Sequence, residues 1–191
     1  MEPESIGREA RLCKQIVMKT TKIIETLRSK LSVPGGRHLY GVLGSYASLK
    51  NFTRKLRQAK THDGKRFPKP LSVNRGILDA IPDEEFHHLV ENEAKRPEPT
   101  AAHVAHAFEK FLRSKLRGKG LIVLSKLEML FAYHLELNLL RTMAADDDRI
   151  LLLLPGRRGS GRIIMFPELE EGRYTLPTNL IASDHLWELK D

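Results

Sequence analysis

Cysteine is almost absent from this chain of 191 residues, in which Cys13 is the single thiol. One cysteine excludes an intramolecular disulfide framework and is typical of a protein of the reducing cytoplasm. Long hydrophobic runs are also missing. The longest, Ile150 to Leu154, is far shorter than a membrane helix, which needs roughly 20 apolar residues. No early apolar run resembles a signal peptide either. We therefore expect a soluble cytoplasmic protein that makes no contact with a membrane.

Arrangements typical of catalysis or metal binding are scarce as well. His103 and His106 have helical spacing, but no third metal ligand of a suitable kind follows nearby. No serine lies in a G-x-S-x-G turn, and Cys13 has no evident base beside it. Trp187, the single tryptophan, is expected to anchor the core or an interface. The sequence therefore predicts no catalytic residue and no metal ligand.

Acidic residues are few in the first part of the chain. Residues 1–75 carry 17 Lys and Arg against 5 Asp and Glu, whereas residues 76–191 carry 15 against 19. The formal net charge of +8 therefore comes from a basic first part and a mildly acidic remainder. Such a basic segment can contact nucleic acid through phosphates, can dock on an acidic partner, or can simply increase solubility.

One stretch, residues 44–51, has the frame of a phosphate-binding loop. The pattern of such loops is G-x-x-x-x-G-K-[ST], in which glycines let backbone N–H groups wrap a phosphate and the hydroxyl holds Mg²⁺. Gly44 and Lys50 match the pattern. Leu49 replaces the second glycine, and Asn51 replaces the hydroxyl residue. The stretch therefore indicates a phosphate-binding loop that has lost part of its chemistry.

The surrounding pattern predicts an α/β fold. Apolar residues 38–43 predict a strand before the motif, and residues 49–59 a helix after it. Two further apolar strands are expected at residues 121–125 and 149–154, with helices at 101–117 and 135–144 between and around them. Residues 162–166 predict an edge β-hairpin after a glycine-rich turn. Residues 60–76 predict an exposed basic loop. We expect a three-layer, P-loop-NTPase-like domain with a mostly parallel sheet.

The first part of the chain predicts an amphipathic helix. Apolar residues between Ile6 and Leu31 recur at helical spacing, and Pro34, Gly35 and Gly36 end the pattern. The predicted organisation is an N-terminal amphipathic helix in residues 1–33 followed by the α/β domain in residues 34–191. The helix either packs across the sheet or leaves it to meet a partner.

Two groups of candidate binding residues follow from these patterns. If a nucleotide binds, the residues expected to hold it lie in the motif and just after the second strand: Gly44, Ser45, Ser48, Lys50, Asn51 and Glu128. The metal-side acid of P-loop proteins is missing at Ser125, the end of that strand. Candidate contacts to an anion or to DNA are basic residues in the predicted helix, loop and hairpin: Lys55, Arg57, Lys65, Arg66, Arg157, Arg158 and Arg162.

Four segments together resemble a known family: residues 44–51, 120–131, 150–156 and 162–167. The last of them reads Arg-Ile-Ile-Met-Phe-Pro, after an apolar strand that ends in Pro-Gly. The pattern resembles the small accessory proteins of BREX-type phage-defence systems, BrxB and BrxF, and covers the last 75 or so residues best. BrxF-like members are described as P-loop proteins, from which this chain departs at Leu49, Asn51 and Ser125. The resemblance implies a subunit that works with a larger ATPase, a PglZ-like protein and a DNA methyltransferase.

Two functional hypotheses remain open. In the first, the protein is a non-catalytic assembly or adaptor subunit of such a defence complex, without a cofactor, that contacts protein partners and in addition DNA. In the second, it is a nucleotide-binding ATPase or switch that uses ATP and Mg²⁺. There Lys50 contacts phosphate, Ser48 or Asn51 serves the metal, and Glu128 orients water. A stand-alone DNA-binding protein is a third alternative.

Overall fold

The computed structural model describes residues 17–92, 95, 97–116, 120–169 and 172–190. The strands within these residues are β1 (Val17–Met18), β2 (Leu39–Gly44), β3 (Leu71–Ser72), β4 (Leu121–Ser125), β5 (Arg149–Arg158), β6 (Ile163–Met165), β7 (Tyr174–Leu176) and β8 (Leu186–Leu189). The helices are α1 (Thr20–Leu31), α2 (Tyr46–Gln58), α3 (Val73–Leu78), α4 (Asp83–Asn92), α5 (Pro97–Leu116), α6 (Glu128–Ala132) and α7 (Asn138–Met143).

The described strands form one sheet that is parallel along its main path. The order is β1-β8-β2-β5-β4-β3, and every pair along this path is parallel. β6 and β7 extend the far end of β5 as antiparallel strands. β2 therefore lies in the middle of the sheet, between β5 and β8, and α2 leaves it at the carboxyl edge.

Helices cover both faces of this sheet. Successive side chains of a strand point to opposite faces, so the apolar strands β2, β4 and β5 supply both cores. On one face Leu39 and Leu43 join the side chains of α3, α5, α6 and α7. On the other face Tyr40 and Val42 join those of α1 and α2, together with Trp187. This confirms the predicted three-layer α/β fold with a mostly parallel sheet.

The N-terminal helix is shorter than predicted, and it packs on the sheet. Val17 and Met18 pair in parallel with Glu188 and Leu189 of β8, so they are extended where a helix was expected. Cys13 and the rest of residues 1–16 lie outside the described residues. From Thr20 onward the helix is present, and Ile23, Ile24, Leu27 and Leu31 bury its apolar stripe beside α2.

Other element boundaries also differ from the sequence-based prediction. Residues 60–76 are not one loop, because they contain β3 and the start of α3, whose apolar residues are buried by long-range contacts. The helix predicted at 135–144 is shorter, since α7 spans only Asn138–Met143, and a further short helix, α6, precedes it at Glu128–Ala132. α5 begins at Pro97, four residues before the predicted start at residue 101, because a first helical turn tolerates proline.

The carboxyl end of the sheet carries an antiparallel extension. β5 continues through Pro155 and Gly156, which were predicted to end it, because its last residues pair with β6. A Cβ at Gly156 would lie 2.6 Å from the Ile164 carbonyl oxygen, so only glycine allows this approach. The predicted hairpin is confirmed, and β7 adds a third strand to it that the sequence had not indicated.

β8 was not predicted from the sequence. Its four residues contain the single tryptophan, and they enter the sheet beside β2, with Val42 opposite Trp187. Trp187 is 1% exposed, and its ring stacks near that of Tyr40 with centroids 6.0 Å apart. Of the two predicted positions for Trp187, the core or an interface, the structure shows the core.

Candidate functional site

The carboxyl edge of the sheet, where β2 meets α2, is the place at which open α/β sheets bind ligands. Here residues 44–51 form the end of a strand, one connecting residue and a helix. β2 ends at Gly44, α2 begins at Tyr46, and Ser45 is the connection. The helix was predicted to start at Leu49, so it begins three residues earlier. This leaves no segment of several residues that could curve around a phosphate.

Ser45 is the N-cap of α2. Its Oγ accepts a hydrogen bond from the backbone N–H of Ser48 at 3.1 Å, and its carbonyl oxygen accepts the Leu49 N–H at 2.9 Å. The Ser48 hydroxyl donates back to the Ser45 carbonyl oxygen at 3.1 Å. A side-chain cap of this kind satisfies a helix donor that would otherwise be available to a ligand.

A carboxylate also lies at the start of α2. The backbone N–H of Tyr46 donates a hydrogen bond to Glu168 Oε1 at 3.3 Å. Glu168 comes from the segment after β6, 122 residues further along the chain. The positive end of a helix stabilises an anion, and here a side chain of the protein supplies it.

The remaining motif residues take roles in the helix. Leu49 is 5% exposed and packs in the core with Phe52 and Leu56. Lys50 is exposed in the second turn, and Asn51 Oδ1 accepts a long hydrogen bond of 3.4 Å from Arg54. Close packing explains the glycine at position 44, since a Cβ there would lie 2.5 Å from Ser48 Oγ. The structure thus brings Gly44, Ser45 and Ser48 together but leaves Lys50 and Asn51 on the outer side of α2.

Glu128 connects three helices at the same edge of the sheet. The Tyr46 hydroxyl donates to Glu128 Oε1 at 2.9 Å, and Asn74 Nδ2 donates to Glu128 Oε2 at 2.8 Å. The backbone N–H of Met129 in turn donates to Asn74 Oδ1 at 3.1 Å. Burial raises the pKa of Tyr46, and the hydrogen bond to Glu128 raises it further. Both carboxylate oxygens therefore have donors within the protein.

Asn74 was not indicated by the sequence, because a single Asn in a predicted loop gives no signal of a distant carboxylate. Ser125, at the end of β4, takes a structural part. Its hydroxyl donates to the Leu71 carbonyl oxygen at 3.2 Å and so connects β4 to β3. The position at which P-loop proteins carry a metal-side acid is thus used here for strand pairing.

The predicted anion-binding arginines lie on the hairpin beyond the carboxyl edge, and they do not act as one group. Arg158 is turned inward: its Nη2 donates to the Leu186 carbonyl oxygen at 3.0 Å, and its Nε lies 3.7 Å from Glu188 Oε2. Arg157 and Arg162 are exposed. Arg158 therefore joins the hairpin to β8.

The other predicted anion contacts lie at the opposite end of α2. Lys55 and Arg57 are exposed in its last turn, and the following loop carries Lys65 and Arg66. Lys65 Nζ lies 3.1 Å from Asp63 Oδ2. Hydrogen bonds from Thr61 and from Lys65 lower the pKa of Asp63 to about 2. These four basic residues therefore belong to the C-terminal end of α2 and to the loop after it, whereas the hairpin continues from the carboxyl end of β5.

A buried polar cluster lies at the amino end of β2, in a place where the sequence indicated only a strand. His38 is 3% exposed, and its Nδ1 lies 2.9 Å from the Tyr40 hydroxyl. Burial and the nearby Arg149 lower the pKa of His38. The ring of His185 lies 4.7 Å from that of Tyr40, and burial lowers its pKa also. Both histidines are thus favoured in their neutral form.

Clusters of metal ligands are absent from the described ranges. No group of three or more His, Cys, Asp or Glu side chains in them is arranged to hold a metal ion. His103 instead pairs with Glu85 of α4. None of the helices in this part of the chain has the length and apolar character needed to cross a bilayer.

Comparisons of the sequence with protein-family models, with curated proteins and with solved structures found no match. The architecture itself defines a class. It is a three-layer α/β domain of P-loop-like type, in which a capped helix follows the central strand β2.

Proposed function

We propose that this protein is a non-hydrolysing assembly or adaptor subunit of a BREX-type defence complex in the bacterial cytoplasm. Its proposed partners are the large ATPase, the PglZ-like protein and the methyltransferase of such a system, with DNA as a further contact. The link to that system rests on the resemblance of residues 44–51 and of the last 75 or so residues. The absence of turnover is argued from the geometry at the start of α2.

The observation that carries the proposal is the capped start of α2. Phosphate binding at a helix N-terminus needs free backbone N–H groups and an uncompensated positive end. Here Ser45 Oγ accepts the Ser48 N–H, and Glu168 accepts the Tyr46 N–H. A phosphate would have to displace the Glu168 carboxylate, and it would find Lys50 directed away on the outer side of the helix.

The second candidate function is nucleotide binding, which the position of Glu128 beside the start of α2 favours. It would require the first turn of α2 to unwind into a loop. Unwinding loses the Ser45 cap, at about 1 kcal/mol, and exposes Leu49, at about 1.5–3 kcal/mol. A penalty of about 2.5–4 kcal/mol would weaken nucleotide affinity by roughly 10²- to 10³-fold. Weak binding without efficient turnover is the most that this geometry supports.

Two measurements test the proposal. Calorimetry and a phosphate-release assay with MgATP and MgGTP are expected to show no turnover, in the wild type and in the Lys50→Ala variant alike. Turnover that Lys50→Ala abolishes would refute the non-hydrolysing assignment and establish the second candidate. Affinity purification of the tagged full chain from its native host is expected to recover the partner subunits in stoichiometric amounts. Recovery of the protein alone would refute the assembly role.

A further inference from the structure

The outer surface of α1 and α2, here called the α1–α2 face, belongs to a strongly basic segment of the chain. Both helices cover the same face of the sheet, and the Arg28 Nε donates to the Lys60 carbonyl oxygen at 2.8 Å, which joins their C-terminal ends. Residues 17–69 contain 13 Lys and Arg but only two acids, Glu25 and Asp63. The net charge of this segment therefore exceeds that of the whole chain.

The basic residues of α2 are arranged in rows. Lys50, Arg54 and Arg57 are separated by four and three positions, so they share one line along the helix. Lys55 lies on the adjacent line. The row from Lys50 to Arg57 spans about 10 Å of helix at 1.5 Å per residue. Neighbouring phosphates of a nucleic-acid strand are several ångströms apart, so a row of this length can contact two or three of them.

These cations are not neutralised within the described part of the chain. No carboxylate there lies within ion-pair distance of Lys22, Lys50, Arg54, Lys55 or Arg57, which are exposed. Two other basic residues of α1 have internal roles: Arg28 holds the Lys60 carbonyl oxygen, and Lys30 pairs with Asp184 at 2.7 Å. The unpaired cations thus concentrate on α2, and Lys22 adds one on α1.

The composition of the face distinguishes among anionic partners. A helix that lies on a membrane inserts Leu, Phe or Trp, but the exposed positions of α1 and α2 hold only charged, polar or small residues. Proteins that bind single strands stack bases on exposed aromatic rings. Phe52 and Phe67, the phenylalanines of this segment, are buried in the core. The face offers cations without apolar or stacking groups.

We infer that the α1–α2 face binds the phosphate backbone of duplex nucleic acid, without sequence preference. Phosphate contacts from Lys and Arg hold a protein on a duplex but do not recognise bases. This inference rests on the DNA contact included in the proposed function, and it locates that contact on α2 and Lys22. The inference gives the hairpin arginines no role in binding nucleic acid, and one of them, Arg158, forms an ion pair with Glu188.

The test is a fluorescence-anisotropy titration of the full chain with a labelled duplex of arbitrary sequence. With four or five phosphates contacted, the slope of log Kobs against log salt is expected to be about −4, or about a 250-fold loss between 50 and 200 mM salt. The triple variant Lys50→Gln/Arg54→Gln/Arg57→Gln is expected to bind roughly 500-fold more weakly at 0.1 M salt, since each lost contact removes about 0.9 decade.

The matched control is Lys95→Gln/Lys110→Gln/Lys126→Gln, which removes the same charge from exposed positions elsewhere. It is expected to bind nearly as well as the wild type. Circular dichroism of both variants establishes that they are folded. The inference is overturned if the control loses as much affinity, if wild-type binding is independent of salt, or if a single strand binds as tightly as the duplex.

Vesicles with anionic lipid and polyglutamate are the competing anions in this experiment. Tighter binding to either of them than to the duplex would overturn the assignment to nucleic acid. A failure to bind any of these anions would reject the α1–α2 face as a nucleic-acid surface, whereas partner recovery in the affinity purification would still support the assembly role. The two failures are therefore distinguishable.

Discussion

Replacing Leu49 with glycine would restore the second glycine of the phosphate-binding pattern, yet we expect it to damage the protein. Leu49 is 5% exposed and packs with Phe52 and Leu56 against the sheet. Truncation of a buried Leu to Ala costs about 2–5 kcal/mol, and a glycine inside a helix costs about 1 kcal/mol more than alanine. Leu49→Gly should therefore lower the free energy of unfolding by about 3–6 kcal/mol.

Thermal unfolding followed by circular dichroism measures this loss. For a chain of this size, 1 kcal/mol corresponds to about 2–4 °C in Tm, so the expected decrease is about 6–24 °C. A domain with a stability of about 5–15 kcal/mol can survive the smaller values but not the larger ones. Calorimetry of the folded fraction with MgATP should show no gain in binding.

The control is Asn51→Ser, which restores the hydroxyl of the same pattern at an exposed position. A surface change of this kind stays within about 0.5 kcal/mol. If Leu49→Gly were as stable as Asn51→Ser, Leu49 would not be a core residue of a helix. If the double variant Leu49→Gly/Asn51→Ser acquired MgATP binding, residues 44–51 would be a phosphate-binding loop. The reasoning from the capped helix would then be refuted.

Two further predictions concern the cap of α2 and the buried histidine. Ser45→Ala should lower the free energy of unfolding by about 1 kcal/mol through loss of the N-cap, whereas Ser45→Thr should keep the cap and the stability. Equal denaturation midpoints for Ser45→Ala and the wild type would contradict the capping role of Ser45. The lowered pKa of His38 means that the unfolded chain binds a proton more readily, so stability should decrease as pH falls below about 6.5. In Tm measurements from pH 7.5 to 5.5, His38→Gln should show a weaker pH dependence than the wild type. An equal decrease of Tm in the variant and the wild type would show that His38 is not the source of the dependence.

The apolar strands and the amphipathic helices could be predicted because their signals are local. Residues 39–44, 121–124 and 150–156 of β2, β4 and β5 are uncharged and largely apolar, as expected for parallel strands covered on both faces. The predicted start of α2 at Leu49 was wrong, because Ser45 is the N-cap and residues 46–48 are helical. Local helix signals are present here also, since Ser45 is a good N-cap and Leu49, Phe52 and Leu56 have helical spacing.

The edge strands and the carboxyl-edge cluster could not be predicted from local patterns. β1 and β3 are two residues long, too short for a period to be visible. Glu168 reaches Tyr46 across 122 positions, and Glu128 reaches Asn74 across 54. Such pairs depend on the order of the strands, which residue spacing does not determine.

The class of fold follows from residue patterns alone, because the alternation of apolar strands and helices admits few arrangements other than a covered parallel sheet. The excess of positive charge in the first part of the chain is likewise visible in the sequence. The tertiary structure brings α1 beside α2, so that the basic residues of these two helices lie over the same face of the sheet. It also decided that the start of α2 is closed by Ser45 and Glu168, because the strand order brings a distant carboxylate to that helix end.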